Sequence, residues 1–491
     1  MENPLRALAL VDGEHYPPTT RWGLEVARDR GYEVVAALFL GGSEKVAAGG
    51  KVDLGGITVD TVRGDPGMAL TDAIERHSPE VILDLSDEPI LGYRERMLLA
   101  AVSLIAGLRY VGADFVLEPP IEGPPLSSPT LSVIGTGKRT GKTAIAGEVA
   151  RVAAAAELRP VVVAMGRGGP PEPQMAKAGT VGLDHLVDLV RRGEHAASDY
   201  LEDAVTTGVT TIGARRCGGG LAGRPFVSNV REAAEMAVRV GAGLVLLEGS
   251  GASIPPVPWD AGVLVCSAAT PEEYLAGYLG PYRLLLSDLV VLTMGSGPDV
   301  GPEDLTRLTS HVHRLKPDAR IVVTDFRPVP LGDVRGRKVY FATTAPPSVG
   351  SALASHLEEA FGCVLVGMTH RLADRAGLAD DLDEAPSFEV LVTELKAAAI
   401  DVAADRATAR GAEVVFADNR AITLLESSTG DTTPPTTPAG LWANTFGDAE
   451  IWLSWGASSD NATPTGLIVY EVYLNGRFDQ GIGGGRTEAI L

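Results

Sequence analysis

The sequence predicts an α/β protein: two consecutive α/β domains followed by a short, truncated β-sandwich-like tail. Three observations carry that expectation. Up to about residue 425, short apolar runs alternate with amphipathic helical patterns, as expected of strands buried on both faces of largely parallel sheets. The proline-rich stretch Glu118–Pro129 interrupts the alternation and makes a natural linker. Beyond Leu425 the composition turns to Ser, Thr, Pro and Gly, then to alternating segments rich in tryptophan.

The first domain, residues 1–124, has apolar runs at Leu5–Val11, Glu33–Leu40 and Val81–Leu85, with helical patterns near Thr20–Arg30, Met68–Arg76 and Arg94–Gly107 between and after them. That order predicts an open doubly wound sheet, which binds ligands beyond the carboxyl ends of its strands. The loop after the first strand, Asp12-Gly-Glu-His-Tyr-Pro-Pro18, is therefore a candidate ligand loop with His15 as its binding side chain. An exposed polar turn fixed by Pro17 and Pro18 accounts for the same residues equally well.

The second domain, residues 129–425, opens with the strand Leu131–Ile134, a glycine-rich turn and a helix from Ala144 to about Ala156. Strands follow at Pro160–Met165, Gly243–Glu248, Leu289–Met294, Arg320–Asp325, Val339–Thr343 and Cys363–Gly367, and a final strand near Glu413–Ala417 would close the sheet. Residues 426–440 form a linker. The tail, 441–491, holds Trp442, Trp452 and Trp455, three of the five tryptophans, but is too short for the roughly 90–100 residues of a seven-strand sandwich.

Composition narrows the function. With 42 basic against 63 acidic residues the formal net charge is −21, so the surface as a whole will not seek nucleic acid or an anionic membrane. An anionic small-molecule substrate must then be captured by a local basic pocket. The three cysteines, Cys217, Cys266 and Cys363, lack metal-binding spacing and suggest a reducing compartment. There is no signal-peptide pattern and no apolar run of about 18 residues. The expected location is the cytoplasm.

The glycine-rich turn is the strongest motif. Gly135-Thr136-Gly137-Lys138-Arg139-Thr140-Gly141-Lys142-Thr143 is a P-loop variant with five residues, rather than four, between its framing glycines. Its backbone N–H groups and the following helix end can cradle phosphate oxygens. Lys142 would reach the terminal phosphates and the Thr143 hydroxyl would ligate Mg2+. Two of the eight lysines, Lys138 and Lys142, stand in this one loop. The domain therefore reads as a P-loop NTPase. Its second signal is Leu244-Val-Leu-Leu-Glu-Gly-Ser-Gly251, where Glu248 ends an apolar strand as a Mg2+-binding carboxylate should. In Ser198-Asp199-Tyr-Leu-Glu-Asp203, Asp199 is a candidate second carboxylate, although an ordinary amphipathic helix with an acidic start fits as well. Arg167 lies in a Gly/Pro-shaped loop, and Arg215, Arg216 and Arg224 flank Cys217-Gly-Gly-Gly-Leu-Ala-Gly223. Guanidinium forks suit phosphate, so these arginines point to a second phosphorylated ligand. The loop Gly295-Ser-Gly-Pro298 could hold the base, with ATP and GTP both open.

In their order these motifs resemble the cyclic 2,3-diphosphoglycerate synthetase family over about residues 1–425. The nucleotide half is also similar to dethiobiotin synthetase, in Gly135–Thr143, Ser198-Asp199 and Glu248–Gly251. The resemblance implies Thr143, Asp199 and Glu248 as Mg2+ ligands. It also implies ATP as the phosphoryl donor, Lys142, Lys138, Arg139 and Glu248 in the catalytic machinery, and a homodimer. The implied reaction is ATP-driven closure of an intramolecular phosphoanhydride in 2,3-diphosphoglycerate, with release of ADP and phosphate. Gly137 stands where deviant P-loop ATPases carry a signature lysine, so their dimer-sharing mechanism does not transfer. Asp431-Thr-Thr-Pro-Pro, Ile451-Trp-Leu-Ser-Trp and Tyr470-Glu-Val-Tyr-Leu-Asn-Gly resemble the opening strands of a fibronectin type III module. Two alternatives remain: another ATP-dependent ligase of a carboxylate or phosphate acceptor, and a GTPase-type metallochaperone or switch, which would want a Cys/His metal cluster.

Overall fold

The computed structural model describes residues 3–42, 45, 52–192, 199–395 and 400–427, and in the tail the strands 442–446, 450–454, 470–474, 477–482 and 488–490. Ser198, Trp455, residues 428–440 of the linker and residue 441 of the tail lie outside the described residues.

The first domain alternates β1 (Leu5–Val11), α1 (Pro17–Asp29), β2 (Tyr32–Phe39), β3 (Thr58–Thr61), α2 (Pro66–His77), β4 (Val81–Asp84), α3 (Tyr93–Ile105), β5 (Arg109–Val111) and β6 (Val116–Leu117). Its sheet has the order β3-β2-β1-β4-β5-β6, parallel except for β6, which is the doubly wound arrangement expected. Residues Ala7–Val11 of β1 are buried without interruption, because helices cover both faces of this central strand. The order reverses between β1 and β4, and the loops that follow these two strands meet there.

The second sheet has thirteen strands. Its first half is built from β7 (Thr130–Gly135), β8 (Pro160–Gly166), β9 (Gln174–Ala176), β10 (Thr211–Cys217), β11 (Val227–Ser228), β12 (Leu244–Glu248), β13 (Ala261–Ser267), β14 (Leu289–Thr293) and β15 (Arg320–Pro330), in the order β11-β10-β8-β12-β7-β13-β14-β15 with β9 beside β10. From β10 to β15 all neighbours are parallel. The helices are α4 (Lys142–Ala155), α5 (Leu183–Arg191), α6 (Asp199–Thr207), α7 (Val230–Arg239), α8 (Glu273–Ala276), α9 (Gly280–Leu285) and α10 (Pro302–Leu315).

The second half holds β16 (Lys338–Ala342), α11 (Gly350–Phe361), β17 (Val364–Thr369), α12 (Arg375–Glu384), β18 (Val390–Glu394), α13 (Ile400–Ala409) and β19 (Glu413–Ser427). The expectation that the last strand closes the sheet is corrected. β19 is internal: Glu413–Ala417 runs parallel to β18, and Ala417–Ser427 then pairs antiparallel with the whole length of β15. This ribbon packs on α4, where Phe326 and Ala421 join Ile145 and Ala146 in one apolar cluster and Arg151 meets Asp418 at 2.9 Å. Leu395, Ile400 and Phe416 pack against Leu186, Leu201 and Ala204, so the second half of the sheet buttresses α5 and α6.

The amino-terminal domain is joined to the rest by a shared core. α3 lies on α9, and one apolar cluster runs from Leu8 and Leu99 through to Leu264, Tyr282 and Leu292. Arg94 reaches Glu272 at 3.6 Å across the same contact. In the tail, the described strands pair as a three-stranded antiparallel sheet (442–446, 450–454, 488–490) and a separate two-stranded one (470–474, 477–482).

Candidate active site

The phosphate loop begins where β7, held between β12 and β13, runs out. Gly135 is required by contact: a Cβ there would stand 2.7 Å from the Lys142 side chain, which folds back over the loop. The buried Lys142 ammonium donates to the Gly137 carbonyl at 2.6 Å and to Thr140 Oγ1 at 3.3 Å. Gly141 adopts φ +87°, and a Cβ would press to 2.4 Å of the Phe326 ring. The Thr293 hydroxyl donates to the Thr140 carbonyl at 2.7 Å, and the Thr136 N–H donates to Val265 at 3.2 Å. The loop is thus braced from β13, β14 and β15. Lys138 and Arg139 stand exposed at its tip, and Gly137 has open space where a Cβ would point.

On the β12 side the chemistry changes sign. Glu248 is buried at the carboxyl end of β12, within hydrogen-bonding reach of the Thr143 hydroxyl. Burial, and then the Asp199 charge, push its carboxyl up to about 7, against the opposing pull of Thr143 and Lys142. Its Oε2 receives no hydrogen bond. Asp203, only 1% exposed, faces it, and neither of its carboxylate oxygens has a donor. Burial, followed by the Glu248 charge, holds the Asp203 carboxyl well above the usual range. Asp199 and Asp203 are one turn apart on α6 and therefore share a face. Among the described residues no three His, Cys, Asp or Glu side chains could hold a metal ion unaided. That suits a nucleotide-bound cation, which takes most of its ligands from phosphate and water. The buried, unpartnered carboxylate oxygens beside Thr143 fit such an ion.

Beyond Glu248 the turn Gly249-Ser-Gly251 meets two arginines. A Cβ on Gly251 would lie 2.5 Å from an Arg167 nitrogen and 3.4 Å from one of Arg216, so the two guanidiniums converge over a glycine that leaves them room. Arg216 donates to the Gly218 carbonyl at 2.6 Å and to the Ser250 carbonyl at 2.8 Å, while its Nε is buried without a partner. Burial, and then the Arg167 charge, lower its pKa. Among the described residues neither arginine has a carboxylate partner, so positive charge gathers here without compensation.

Other expected residues fall elsewhere. Arg215, next to Arg216 on β10, turns to the opposite face and is exposed; its N–H is held by Asn229 Oδ1 at 2.7 Å. The expectation for Arg224 is corrected: its guanidinium pairs with Glu118 at 2.8 Å and with Glu122, which pins the interdomain linker instead of presenting a phosphate site. His15 lies at the carboxyl edge of the first domain. Buried Asp12 accepts its Nδ1–H at 2.9 Å, the N–H groups of Glu14 and His15, and the N–H of Asp87 from the loop after β4. Asp12 therefore fastens the two loops where the strand order reverses. Asp12 as a hub, Asp203, and the brace made by Phe326 and Thr293 emerge only from the fold. Of these only Asp203 had a readable signal, its four-residue spacing from Asp199.

Fold and site together define a P-loop enzyme with a largely parallel sheet and a positively charged corner beside its buried carboxylates. Residues 6–118, 130–325 and 330–420 match, respectively, the N-terminal, P-loop and C-terminal domains of cyclic 2,3-diphosphoglycerate synthetase. The cyclic 2,3-diphosphoglycerate synthetase of Rubrobacter xylanophilus is 48% identical over 418 residues, covering 84% of this chain and 94% of that protein. Those of Methanothermus fervidus and Methanothermobacter thermautotrophicus are 38% and 40% identical, covering 86% and 84% of this chain and 94% and 91% of their own. The chain belongs to the cyclic 2,3-diphosphoglycerate synthetase family, and it is an enzyme. The matched regions end at residue 420, so the tail stands outside them.

Proposed function

We propose that the enzyme uses ATP and Mg2+ to close the internal phosphoanhydride of 2,3-diphosphoglycerate, releasing ADP and phosphate. The observation that carries this reading is the uncompensated Arg167–Arg216 pair over Gly251, on the side of the phosphate loop where Glu248 lies. A transferred phosphoryl group needs a second anion brought against it there, and the chief obstacle is repulsion between them. The arginines hold the acceptor's phosphates. One phosphate oxygen of the acceptor attacks the γ-phosphorus, and the bond to ADP breaks. The second acceptor phosphate then attacks the phosphorus of the activated one, and inorganic phosphate leaves as the ring closes. Lys142 swings from the Gly137 carbonyl to the γ-phosphate, and Lys138 and Arg139 at the loop tip neutralise the remaining charge. Thr143, Glu248 and Asp199 would hold magnesium, which when bound supplies charge neutralisation on the β- and γ-phosphates. His15, fixed by Asp12, is the first domain's candidate contact to the acceptor.

31P NMR of the protein with Mg-ATP and 2,3-diphosphoglycerate tests the reading. The expected result is new upfield anhydride resonances with stoichiometric ADP and phosphate, absent in Lys142→Ala. ATP binding without that product would retain the nucleotide site and reject the acceptor. The family resemblance adds a homodimer and a cytoplasmic location to the proposal. Separately, no helix among the described residues is long and apolar enough to cross a membrane. The proposal makes residues 441–491 an appended fibronectin type III-like segment, supported by the antiparallel pairing of the described strands.

A further inference from the structure

Asp203 is buried with neither carboxylate oxygen satisfied by a donor. Ionising a carboxyl buried without a donor is costly, and Asp203 is buried in that way facing a second buried acid. Its helix adds to the cost, because Asp199 and Asp203 at i and i+4 repel each other on the face turned to Glu248. The placement is not loose. Tyr200 lies flat against Gly213 of β10, where a Cβ would come within 2.6 Å of the ring, and Thr211 donates its hydroxyl to the Tyr200 carbonyl at 2.5 Å. The helix is thereby locked to the sheet with Asp203 turned inward, and Leu395, Ile400 and Phe416 of the second half of the sheet share one apolar cluster with its Leu201 and Ala204. The contact Asp203 has is with the Glu248 carboxyl, itself an acid, and no other group of the fold donates to it. The missing partner is a donor or a cation on the Glu248 side.

We propose that Asp203 is an outer carboxylate of the cation site: it accepts hydrogen bonds from water on the ion held by Thr143 and Glu248, and so fixes both that water and the Glu248 side chain. It is a positioning residue, and the proposal rests on the nucleotide-site reading above but not on the identity of the acceptor. Partners at this remove from a metal contribute about 10- to 100-fold in metal affinity.

The test uses the full-length chain with Mn2+ and ADP and no acceptor. Bound Mn2+ is counted by electron paramagnetic resonance, and ADP affinity is measured separately in EDTA. Asp203→Asn keeps the shape and removes the charge. The expected result is Mn2+ affinity of the ADP complex reduced about 10-fold or more, with metal-free ADP affinity unchanged and the metal-free melting temperature no lower than that of the parent. A merely structural lesion would weaken both affinities together, and that outcome overturns the proposal. So does unchanged Mn2+ affinity, which would mean that Asp203 and Glu248 simply share a proton. If the parent binds no Mn2+ with ADP, the nucleotide-site reading falls with it. Should Asp203→Asn fail to fold, Asp203→Ser is compared in the same two measurements.

Discussion

Two glutamates end buried strands in the two halves of the same sheet, and their surroundings differ completely. Glu394, at the end of β18, accepts from Thr343 Oγ1 at 2.7 Å, from the Thr344 N–H and hydroxyl at 3.0 and 2.7 Å, and from Asn419 Nδ2 at 3.1 Å. Glu248, at the end of β12, has the Thr143 hydroxyl, an orphaned Oε2 and two further acids for company. Both are almost fully buried. The first is a finished structural joint. The second is left short of donors and surrounded by negative charge. Burial of an acid therefore says little about role; the bookkeeping of its donors separates joint from site.

Substitution should break the symmetry in opposite directions. Glu248→Gln is expected to lower turnover about 100-fold or more while leaving the metal-free protein as stable as before or more so, because a buried charge facing Asp203 is gone. Glu394→Ala strands several buried donors at about 1–3 kcal/mol each and should lower the denaturation midpoint sharply, with ADP affinity retained in the folded fraction. Steady-state turnover and chemical denaturation of the two variants check both. If Glu394→Ala instead lost nucleotide binding while staying stable, the joint would have to be reassigned as a site.

The pH dependence sharpens the same contrast. The Glu248 carboxyl is raised to about 7 in the folded protein, so the native state holds a proton there that the unfolded chain releases at lower pH. Its stabilising contribution is complete below the ordinary carboxylate pKa and is lost as pH rises through 7. Melting temperatures in EDTA, from about pH 5 to about pH 8, should fall more in the parent than in Glu248→Gln. Saturating Mg-ADP should remove that difference, since the ion replaces the proton. A parallel pH trend in both proteins would place the titration elsewhere.

Much of this was legible in the chain. The phosphate loop and the Glu248 turn are local motifs whose spacing is set by backbone geometry, and the doubly wound first domain follows from strand–helix alternation. What escaped depends on distant partners. β10 was hidden because Arg215 and Arg216 make a strand end look like a loop, although strand alternation is what sends one to each face. β13 and β18 are short apolar runs with no motif to mark them as strands, and the place of β19 is not local information, because its two halves pair with different strands in opposite senses. Asp203 looked like the hydrated side of an acidic helix until the fold turned that side inward.

Arginines give the smallest expected effects and the finest separation. Arg167→Lys and Arg216→Lys each keep the charge but lose the fork. They should raise KM for the acceptor about 10-fold with KM for ATP little changed, since they sit beyond Glu248 and away from the Thr293–Phe326 brace. Arg224→Ala should do almost nothing to either constant. Its pairs with Glu118 and Glu122 are partly exposed, and such ion pairs contribute about 0–1 kcal/mol. Sequence places Arg216 and Arg224 eight residues apart around one glycine-rich loop, yet the fold gives one an unbalanced positive corner and the other two carboxylates. A large KM effect from Arg224→Ala, measured beside Arg216→Lys, would mean that the linker carboxylates release Arg224 when the acceptor arrives, and that the two arginines act as one site after all.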